Sequence, residues 1–157
     1  MEIRNAEKKD ICRIIELLEQ VREVHHKVRP DLFKGNGGKY DSIELESLIR
    51  DSRRPIFVAV DEDDRVVGYA MCMIIIHEDE NVLNDLKTLY IDDLCVDEEY
   101  RGRHVGSALY DHTLSYAREN GFYNVTLNAW NGNDKAIDFY EKRCKMKIQK
   151  YGMETIL

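Results

Sequence analysis

Residues 90–109 read YIDDLCVDEEYRGRHVGSAL, and this stretch decides the fold. An acidic, apolar strand passes through a basic turn that contains glycine and then enters a helix. Backbone N–H groups at the start of a helix have no intrahelical partner and carry the positive end of the helix dipole. Arg101 and Arg103 add positive charge, and Gly102 and Gly106 allow the backbone to approach a ligand closely. The stretch therefore predicts a pocket for an anion such as a diphosphate.

The turn matches neither of the two common nucleotide-binding loops. A Walker loop ends in Gly-Lys-Ser/Thr and a dinucleotide fingerprint needs three spaced glycines, and the turn has neither pattern. It resembles motif A of the GNAT N-acetyltransferase superfamily, whose Arg/Gln-x-x-Gly-x-Gly/Ala turn holds the pyrophosphate of acetyl-CoA. The resemblance implies that acetyl-CoA is the co-substrate. It also implies contacts from Arg101, Gly102, Arg103, His104, Val105, Gly106 and Ser107.

His104 stands where the family has its first glycine. Histidine tolerates a positive φ better than most residues do. If the position requires left-handed geometry, the strain is about 1 kcal/mol, which is small beside a multidentate phosphate contact. We therefore expect the turn to keep its N–H donors.

A second segment, residues 133–142, reads NDKAIDFYEK and follows a predicted strand. It resembles motif B of the same superfamily, Asn-x-x-Ala-x-x-Phe/Leu-Tyr. The N-terminal pattern of Arg4, Ala6, Asp10 and Ile14 resembles the opening strand and helix of the family. The resemblance covers nearly the whole chain and implies an α+β GNAT fold, with a mixed central sheet, splayed central strands and flanking helices.

Composition limits the class of protein. The chain has 157 residues, of which 43% are hydrophobic and 34% charged, so we expect one soluble globular domain over residues 1–157. No apolar run approaches the length of a membrane span. The formal net charge of −7 argues against a nucleic-acid binder and suits a cationic substrate. The four cysteines lack a Cys-x-x-Cys pair, which predicts reduced thiols in a cytoplasmic protein rather than zinc or disulfides.

Hydrophobic periodicity predicts a series of helices and strands. A glycine-rich connection around residues 35–38 follows the first helix and is a candidate substrate lid. The helix after the basic turn ends near Gly121, and Asn133 is placed to cap the next one. The predicted helices include Ile11 toward Val24 and Ser42–Arg50. The predicted strands are Ile3–Asn5, Ile56–Val60, Val66–Ile76, Thr88–Val96, Asn124–Ala129 and a last one between Lys147 and Leu157.

The resemblance also implies where the rest of acetyl-CoA lies. In the family, the two central parallel strands splay apart and the pantetheine arm enters the opening as a pseudo-strand. In this chain the strand segment Leu94, Cys95 and Val96 would then contact the arm, through the backbone groups of Leu94 and Val96. A backbone N–H near Val96 would meet the tetrahedral oxyanion.

Acetyl transfer needs a neutral amine, and an amine of pKa about 10.4 is mostly protonated at neutral pH, so a base or a water path is required. Asp92 and Asp93 are adjacent on a strand, and we expect their side chains to point to opposite faces. The pair resembles a Glu-Asp pair in spermidine/spermine acetyltransferases, which implies a catalytic role and a small cationic amine as acceptor. Alternatively, one aspartate has only a structural role. We expect Asp97, Glu98 and Glu99 to form a solvated turn.

Tyr140 lies in motif B, and the resemblance implies that its phenol protonates the departing CoA thiolate. The alternative is a core aromatic residue. Asn133 is either a helix cap, a pantetheine contact or both. His25 and His26, near the end of the first helix, are weaker candidates for the acceptor pocket. The remaining histidines lack a companion at ligand spacing, so no metal is predicted.

The resemblance favours direct transfer to the amine in a ternary complex. A peptide N-terminus or lysine is the runner-up acceptor, and a non-catalytic acyl-CoA binding module is an alternative of another class. Many members of the family dimerise, so a homodimer is compatible with the resemblance.

Overall fold

The computed structural model describes all 157 residues. Its centre is a five-stranded sheet in the order β1-β2-β3-β4-β5. The first three junctions are antiparallel, including the predicted hairpin of β2 and β3, and β4 pairs with β5 in parallel. The predicted parallel pair is present, but it lies at one edge of the sheet rather than at its centre. The strands are β1 (Glu2–Asn5), β2 (Ile56–Val60), β3 (Val66–His77), β4 (Leu86–Val96) and β5 (Asn124–Leu127).

Four α-helices flank this sheet: α1 (Ile11–Val28), α2 (Ser42–Arg50), α3 (Val105–Glu119) and α4 (Asp134–Asp138). The start of α2 is fixed by a capping box. The Asp41 side chain accepts a hydrogen bond from the Glu44 amide, and the Glu44 side chain accepts one from the Asp41 amide. Beyond α4 the chain continues directly into a π-helical turn, Phe139–Arg143. Such turns are often found at functional sites.

The core has one apolar layer on each face of the sheet. On one face, α1 and α2 contribute Ile14, Leu17 and Leu45, which pack with Tyr69 of β3. On the other face, α3 packs Leu109 against the sheet. All five residues of β2 are buried, because helices cover both faces of this strand. β2 is therefore an interior strand of the core.

The segment after β4 differs in part from its prediction. Glu98 and Glu99 are exposed, but Asp97 is only 3% exposed, so its placement in a solvated turn is wrong. The Asp97 carboxylate forms an ion pair with Arg13 of α1, and its amide donates to the carbonyl of Val67. A buried partner on another element is invisible to local sequence patterns.

The last predicted strand, between Lys147 and Leu157, is also wrong. Residues 147–157 form no strand and make no backbone hydrogen bonds. Glu154 is held by an ion pair with Arg29, whose Nη1 lies 2.6 Å from its Oε1. Strand-forming residues need a sheet edge to pair with, and the tail does not lie along one. β5 likewise ends at Leu127, two residues before the predicted Ala129.

Candidate active site

The two parallel strands, β4 and the edge strand β5, separate at the site. β5 pairs with β4 only over residues 88–91, and from Asp92 to Val96 β4 has only β3 beside it. The Asp97 amide donates to Val67 of β3 at 2.9 Å. Because backbone groups alternate along a strand, those of Leu94 and Val96 face the open edge. The splayed strands are thus confirmed, and the opening suits an extended chain that pairs like a strand.

Cys95 does not face this opening. Its backbone groups are on the side of β3 by the same alternation, and its thiol donates to the carbonyl of Leu17 at 3.5 Å. Burial raises the pKa of this thiol to about 12, so it remains neutral. Neither the backbone groups nor the thiol of Cys95 faces the opening, so only its neighbours Leu94 and Val96 offer backbone groups there.

The basic turn presents a row of free donors. The amides of residues 102–107 donate to no backbone or side-chain group, and the first bonded one is Ala108, to His104 at 3.0 Å. Gly102 has a φ of 79° and His104 a φ of 62°, so His104 has the left-handed geometry considered above. Residues 101–104 are all exposed. Free amides and a helix N-terminus together form a site for an anion.

Side chains add charge and close packing to this turn. Arg101 Nε donates to the Val96 carbonyl at 3.2 Å, and the Arg103 guanidinium lies 5.0 Å from the centre of the Tyr100 ring. At Gly106 a Cβ would lie 3.2 Å from Phe139 of the π-helical turn. Gly106 therefore lets α3 approach the segment that carries Tyr140. Val105 is buried and Ser107 half-buried behind the exposed part of the turn.

Tyr140 lies on the π-helical turn and is half-buried. Burial, and then the charge of Asp93, raise the pKa of its phenol, so the hydroxyl carries its proton at neutral pH. No side chain of the protein accepts that proton in the structure, and Phe139 packs edge-on against the ring at 5.1 Å. A neutral, unpaired phenol can donate a proton to a ligand atom.

Asp92 and Asp93 do not point to opposite faces, so that prediction is wrong. The pairing of β3 and β4 shifts by one residue here: Asp93 lies opposite Met71, Ile91 lies opposite Cys72, and Asp92 has no partner. This β-bulge turns both carboxylates toward one ammonium group, that of Lys39. Its Nζ lies 2.8 Å from Asp92 Oδ2 and 3.6 Å from Asp93 Oδ2. Bulges are frequent next to active sites because they redirect a side chain.

The two carboxylates differ in environment. The Asp93 side chain is 7% exposed and that of Asp92 28%. Burial raises the pKa of Asp93 despite the opposing charges of Lys39 and His25 and a hydrogen bond from the Tyr69 hydroxyl at 3.1 Å. Asp93 therefore accepts a proton more readily than an ordinary aspartate. Asp92 provides the shorter contact to the ammonium group.

His25, Phe33 and Trp130 form an aromatic cluster, and His25 lies close enough to Asp93 and Lys39 for their charges to affect its pKa. The Phe33 ring lies 5.0 Å from His25 and 5.3 Å from Trp130, and His26 Nδ1 donates to the Phe33 carbonyl at 2.6 Å. Burial lowers the pKa of His25, which favours its neutral form. His25 thus belongs to this site, whereas His26 holds the loop that carries Phe33.

Sequence reasoning missed Lys39, Phe33 and Tyr69. Lys39 lies just after the glycine-rich connection around residues 35–38, and the position of that connection as a candidate lid was the only signal.

Asn133 occupies the capping position of α4, but its side chain makes no capping bond. Its backbone carbonyl accepts the amides of Ala136 and Ile137 at 3.0 Å, so the side-chain cap is wrong and the pantetheine contact stays a prediction.

The structure has neither a metal-binding cluster nor a helix suited to crossing a membrane. No group of three or more His, Cys, Asp or Glu side chains is arranged to bind a metal ion. None of the helices combines the length and the apolar character needed to cross a membrane.

An open strand edge next to a turn of free amides at a helix N-terminus is an arrangement that could receive a CoA thioester. Residues 18–146 match the model of the acetyltransferase (GNAT) family, so the chain belongs to this family. The fold and the co-substrate implied by the sequence, acetyl-CoA, are those of the family, and its enzymes are N-acetyltransferases.

Curated relatives match part of the chain. The peptidyl-lysine N-acetyltransferase YjaB of Escherichia coli is 34% identical over 101 residues, which are 63% of this chain and 56% of the relative. YjaB of Salmonella typhimurium is 31% identical over 63% of this chain and 57% of its own length. The match therefore spans just over half of these relatives.

Two solved structures have the same fold over nearly the full chain. A mutant of the BH1408 protein from Bacillus halodurans superposes with a TM-score of 0.94 at 30% identity, covering 100% of this chain and 99% of that one. The aminoglycoside acetyltransferase meta-AAC0020, from an uncultured soil metagenomic sample, gives a TM-score of 0.74 at 24% identity over 99% and 95% of the two chains. The second likeness is one of fold alone.

Proposed function

We propose that this protein transfers the acetyl group of acetyl-CoA to a primary amine at the end of an aliphatic chain, with the lysine side chain of a peptide or protein as the acceptor. The observation that carries this proposal is the ammonium group of Lys39 between Asp92 and Asp93. A lysine side chain is thus already accommodated at the carboxylates, beside the open strand edge.

The residues have distinct roles in this proposal. The diphosphate binds the free amides of residues 102–107 with Arg101 and Arg103, and the pantetheine arm pairs with Leu94 and Val96. This places the thioester near the carboxylates, at the end of the open edge. Asn133 is an additional contact for the arm. Binding both substrates at once favours direct transfer in a ternary complex, without an acyl-enzyme.

Proton transfers are divided between two groups. Asp93, whose pKa is raised by burial, takes the proton of the ammonium group directly or through a water molecule. Asp92 holds the amine in position. The neutral nitrogen attacks the thioester carbonyl, and the oxyanion is stabilised by the amide of Val96. Tyr140 then protonates the departing thiolate, for which its neutral phenol is suited.

The surroundings of the carboxylates favour a single cationic group on an apolar stem. Beyond the two carboxylates, Tyr69 and His25 lie next to Asp93, and His25 continues into the aromatic cluster with Phe33 and Trp130. These side chains offer aromatic surface rather than further negative charge. Asp31 is already paired with Arg29 at 2.7 Å. A polycation would need further unpaired carboxylates, whereas a lysine side chain needs only one charged site and apolar contact for its methylenes. The relative YjaB is a peptidyl-lysine N-acetyltransferase, which supports this acceptor class.

A small cationic amine is the second candidate. It is favoured by the formal charge of −7, which raises the local concentration of free cations near the protein. It also agrees with the contact of Lys39 with both carboxylates, which leaves less room at this position for a peptide than for a small molecule.

The experiment is a measurement of thiol release from acetyl-CoA with lysine peptides, polyamines, aminoglycosides and free amino acids, together with calorimetric titration of CoA. We expect turnover with lysine peptides, and lower turnover with the same peptides when lysine is replaced by arginine. Turnover with small amines alone would support the second candidate. CoA binding without turnover of any amine would instead indicate a non-catalytic acyl-CoA binding module.

We infer further that residues 1–157 act as one domain in the cytoplasm. The two core layers share one sheet, and the four cysteines are free, as in a reducing compartment. A homodimer stays a prediction, which the molecular mass in solution would test.

A further inference from the structure

Lys39 is the feature of the site that the family chemistry does not use. Its side chain is 38% exposed, although it belongs to a loop without regular structure. The ammonium group lies on the two carboxylates that we propose hold the acceptor amine, at 2.8 and 3.6 Å. Lys34, in the same loop, forms no ion pair and is exposed. One lysine of this loop is thus held in the acceptor position and the other is not.

We propose that Lys39 is itself an acceptor, and that the protein acetylates the Lys39 side chain in its own active site. This modification is intramolecular and uses acetyl-CoA as the acetyl donor. It rests on the acetyl transfer and on the acceptor site proposed above, and it adds a covalent modification of the chain itself.

The loop is fixed on both sides of Lys39. Before it, Arg22 Nη1 donates to the Gly37 carbonyl at 2.9 Å, and Phe33 is held against α1 by His25 and His26. After it, Tyr40 packs on the core and Asp41 caps α2. The nucleophile is therefore delivered by an ordered segment, which favours an intramolecular reaction over one with a free amine.

The bonds and protons of the reaction balance with no further reactant. The Lys39 ammonium group passes a proton to Asp93, and the neutral nitrogen attacks the acetyl carbonyl. A nitrogen–carbon bond forms and the carbon–sulfur bond breaks. The thiolate takes a proton from Tyr140, and the second proton of the attacking nitrogen, lost as the amide forms, returns through solvent to the Tyr140 phenol. Asp93 releases its proton to solvent, so the products are acetyl-lysine at position 39, CoA and one proton.

The reaction is expected to be slower than transfer to a good external amine. Burial lowers the pKa of Lys39, but the charges of Asp93 and Asp92 outweigh it and raise the pKa overall. The nucleophilic neutral form is therefore scarce. Single-turnover labelling, rather than continuous thiol release, is the suitable measurement.

The test incubates the full chain with isotope-labelled acetyl-CoA and maps the label by mass spectrometry over time. We expect label at Lys39 at least about tenfold faster than at Lys34. The rate per molecule should not change on dilution of the protein, since the reaction is intramolecular. Asp93→Asn should abolish the preference for Lys39. Lys34→Arg is the matched control in the same loop and should leave labelling of Lys39 intact.

Four kinds of result would overturn the proposal. Equal labelling of Lys34 and Lys39, or equal labelling of Lys39 in Asp93→Asn, would indicate chemical acetylation without the active site. Labelling that rises with protein concentration would place the reaction between molecules. A lysine peptide that is acetylated while Lys39 stays unlabelled would refute self-acetylation and leave the proposed function standing. If neither Lys39 nor the lysine peptide is labelled, self-acetylation and the proposed function are both refuted. Circular dichroism would confirm that each variant is folded.

Discussion

Asp92 and Asp93 are consecutive residues of one strand, yet both carboxylates lie within 4.0 Å of the same ammonium group. The β-bulge in β4 causes this convergence, and it gives the two carboxylates different environments. One is buried and has a raised pKa, and the other is partly exposed and makes the closer contact. We therefore expect the two positions to respond differently to the same substitution.

Asp93→Asn should lower kcat by about 100-fold or more, because the amide cannot accept the proton of the amine. Asp92→Asn should mainly raise KM, by about two- to tenfold, because it removes a partly exposed charge contact worth about 1 kcal/mol. Steady-state kinetics with a lysine peptide separates the two parameters. The two substitutions are isosteric and serve as each other's control. Equal effects of both variants on kcat would contradict the division of roles.

Tyr140→Phe should lower kcat by about 100-fold while leaving the affinity for CoA unchanged, since only the proton donor is lost. Tyr110→Phe is the matched control, because Tyr110 is a buried tyrosine near this turn and its phenol likewise has a raised pKa. Turnover with a lysine peptide and calorimetric titration of CoA provide the two readouts. Wild-type turnover in Tyr140→Phe would refute the role of the phenol as acid.

Local patterns predicted the turn, since its glycines, arginines and helix start lie within residues 101–107. They also predicted β2 and β3, which are runs of β-forming residues on either side of a charged turn. They failed for the bulge, because the pairing shift depends on β3, far away in sequence. They failed for Lys39 and Asp97, whose partners are 53 and 84 residues away. The tail after Lys147 was mistaken for a strand because its composition suits one, while pairing depends on an edge supplied by the fold.

Arg101→Ala should weaken acetyl-CoA binding by about 10- to 100-fold, as expected for loss of a hydrogen bond to a charged group. Its guanidinium is already held by the Val96 carbonyl at 3.2 Å, so it is positioned before the ligand arrives. Arg118→Ala, on the last turn of α3, controls for the loss of one positive charge. Calorimetry at low and high salt checks this prediction. Equal weakening by both variants would indicate only a general charge effect.

The left-handed residues of the turn should differ in their response to substitution. His104→Gly should raise the free energy of unfolding by about 0.5 to 1 kcal/mol, because glycine removes the strain at φ 62°. Gly102→Ala should lower it by about 1 kcal/mol, since φ is 79° and no atom lies within 4 Å of the added Cβ, so strain alone acts. Gly152→Ala, which has equal space and no positive φ, is the control. Chemical denaturation measures all three, and a loss of stability in His104→Gly would contradict the strain at this turn.

Alkaline pH should destabilise the fold through the buried thiols. Burial raises the pKa of Cys72 and Cys95 from 9.0 to about 12 in the folded protein. The unfolded chain loses these protons near pH 9 while the folded one keeps them, so the unfolded state binds fewer protons above that pH. The stability contribution is therefore complete below about pH 9 and is lost as pH rises toward 12, by about 1.4 kcal/mol per thiol and pH unit.

Cys72→Ala removes one of these thiols and should make the free energy of unfolding fall less steeply with pH above 9. Cys12→Ala, at an exposed cysteine, is the matched control and should keep the steep dependence. Urea denaturation between pH 8 and 10.5, followed by circular dichroism, measures the slopes as a direct comparison between the variants. The variant at Cys72 costs stability at every pH because it leaves a cavity, so the slope rather than the absolute value decides. The same slope in both variants would mean that the Cys72 thiol does not keep its proton on folding.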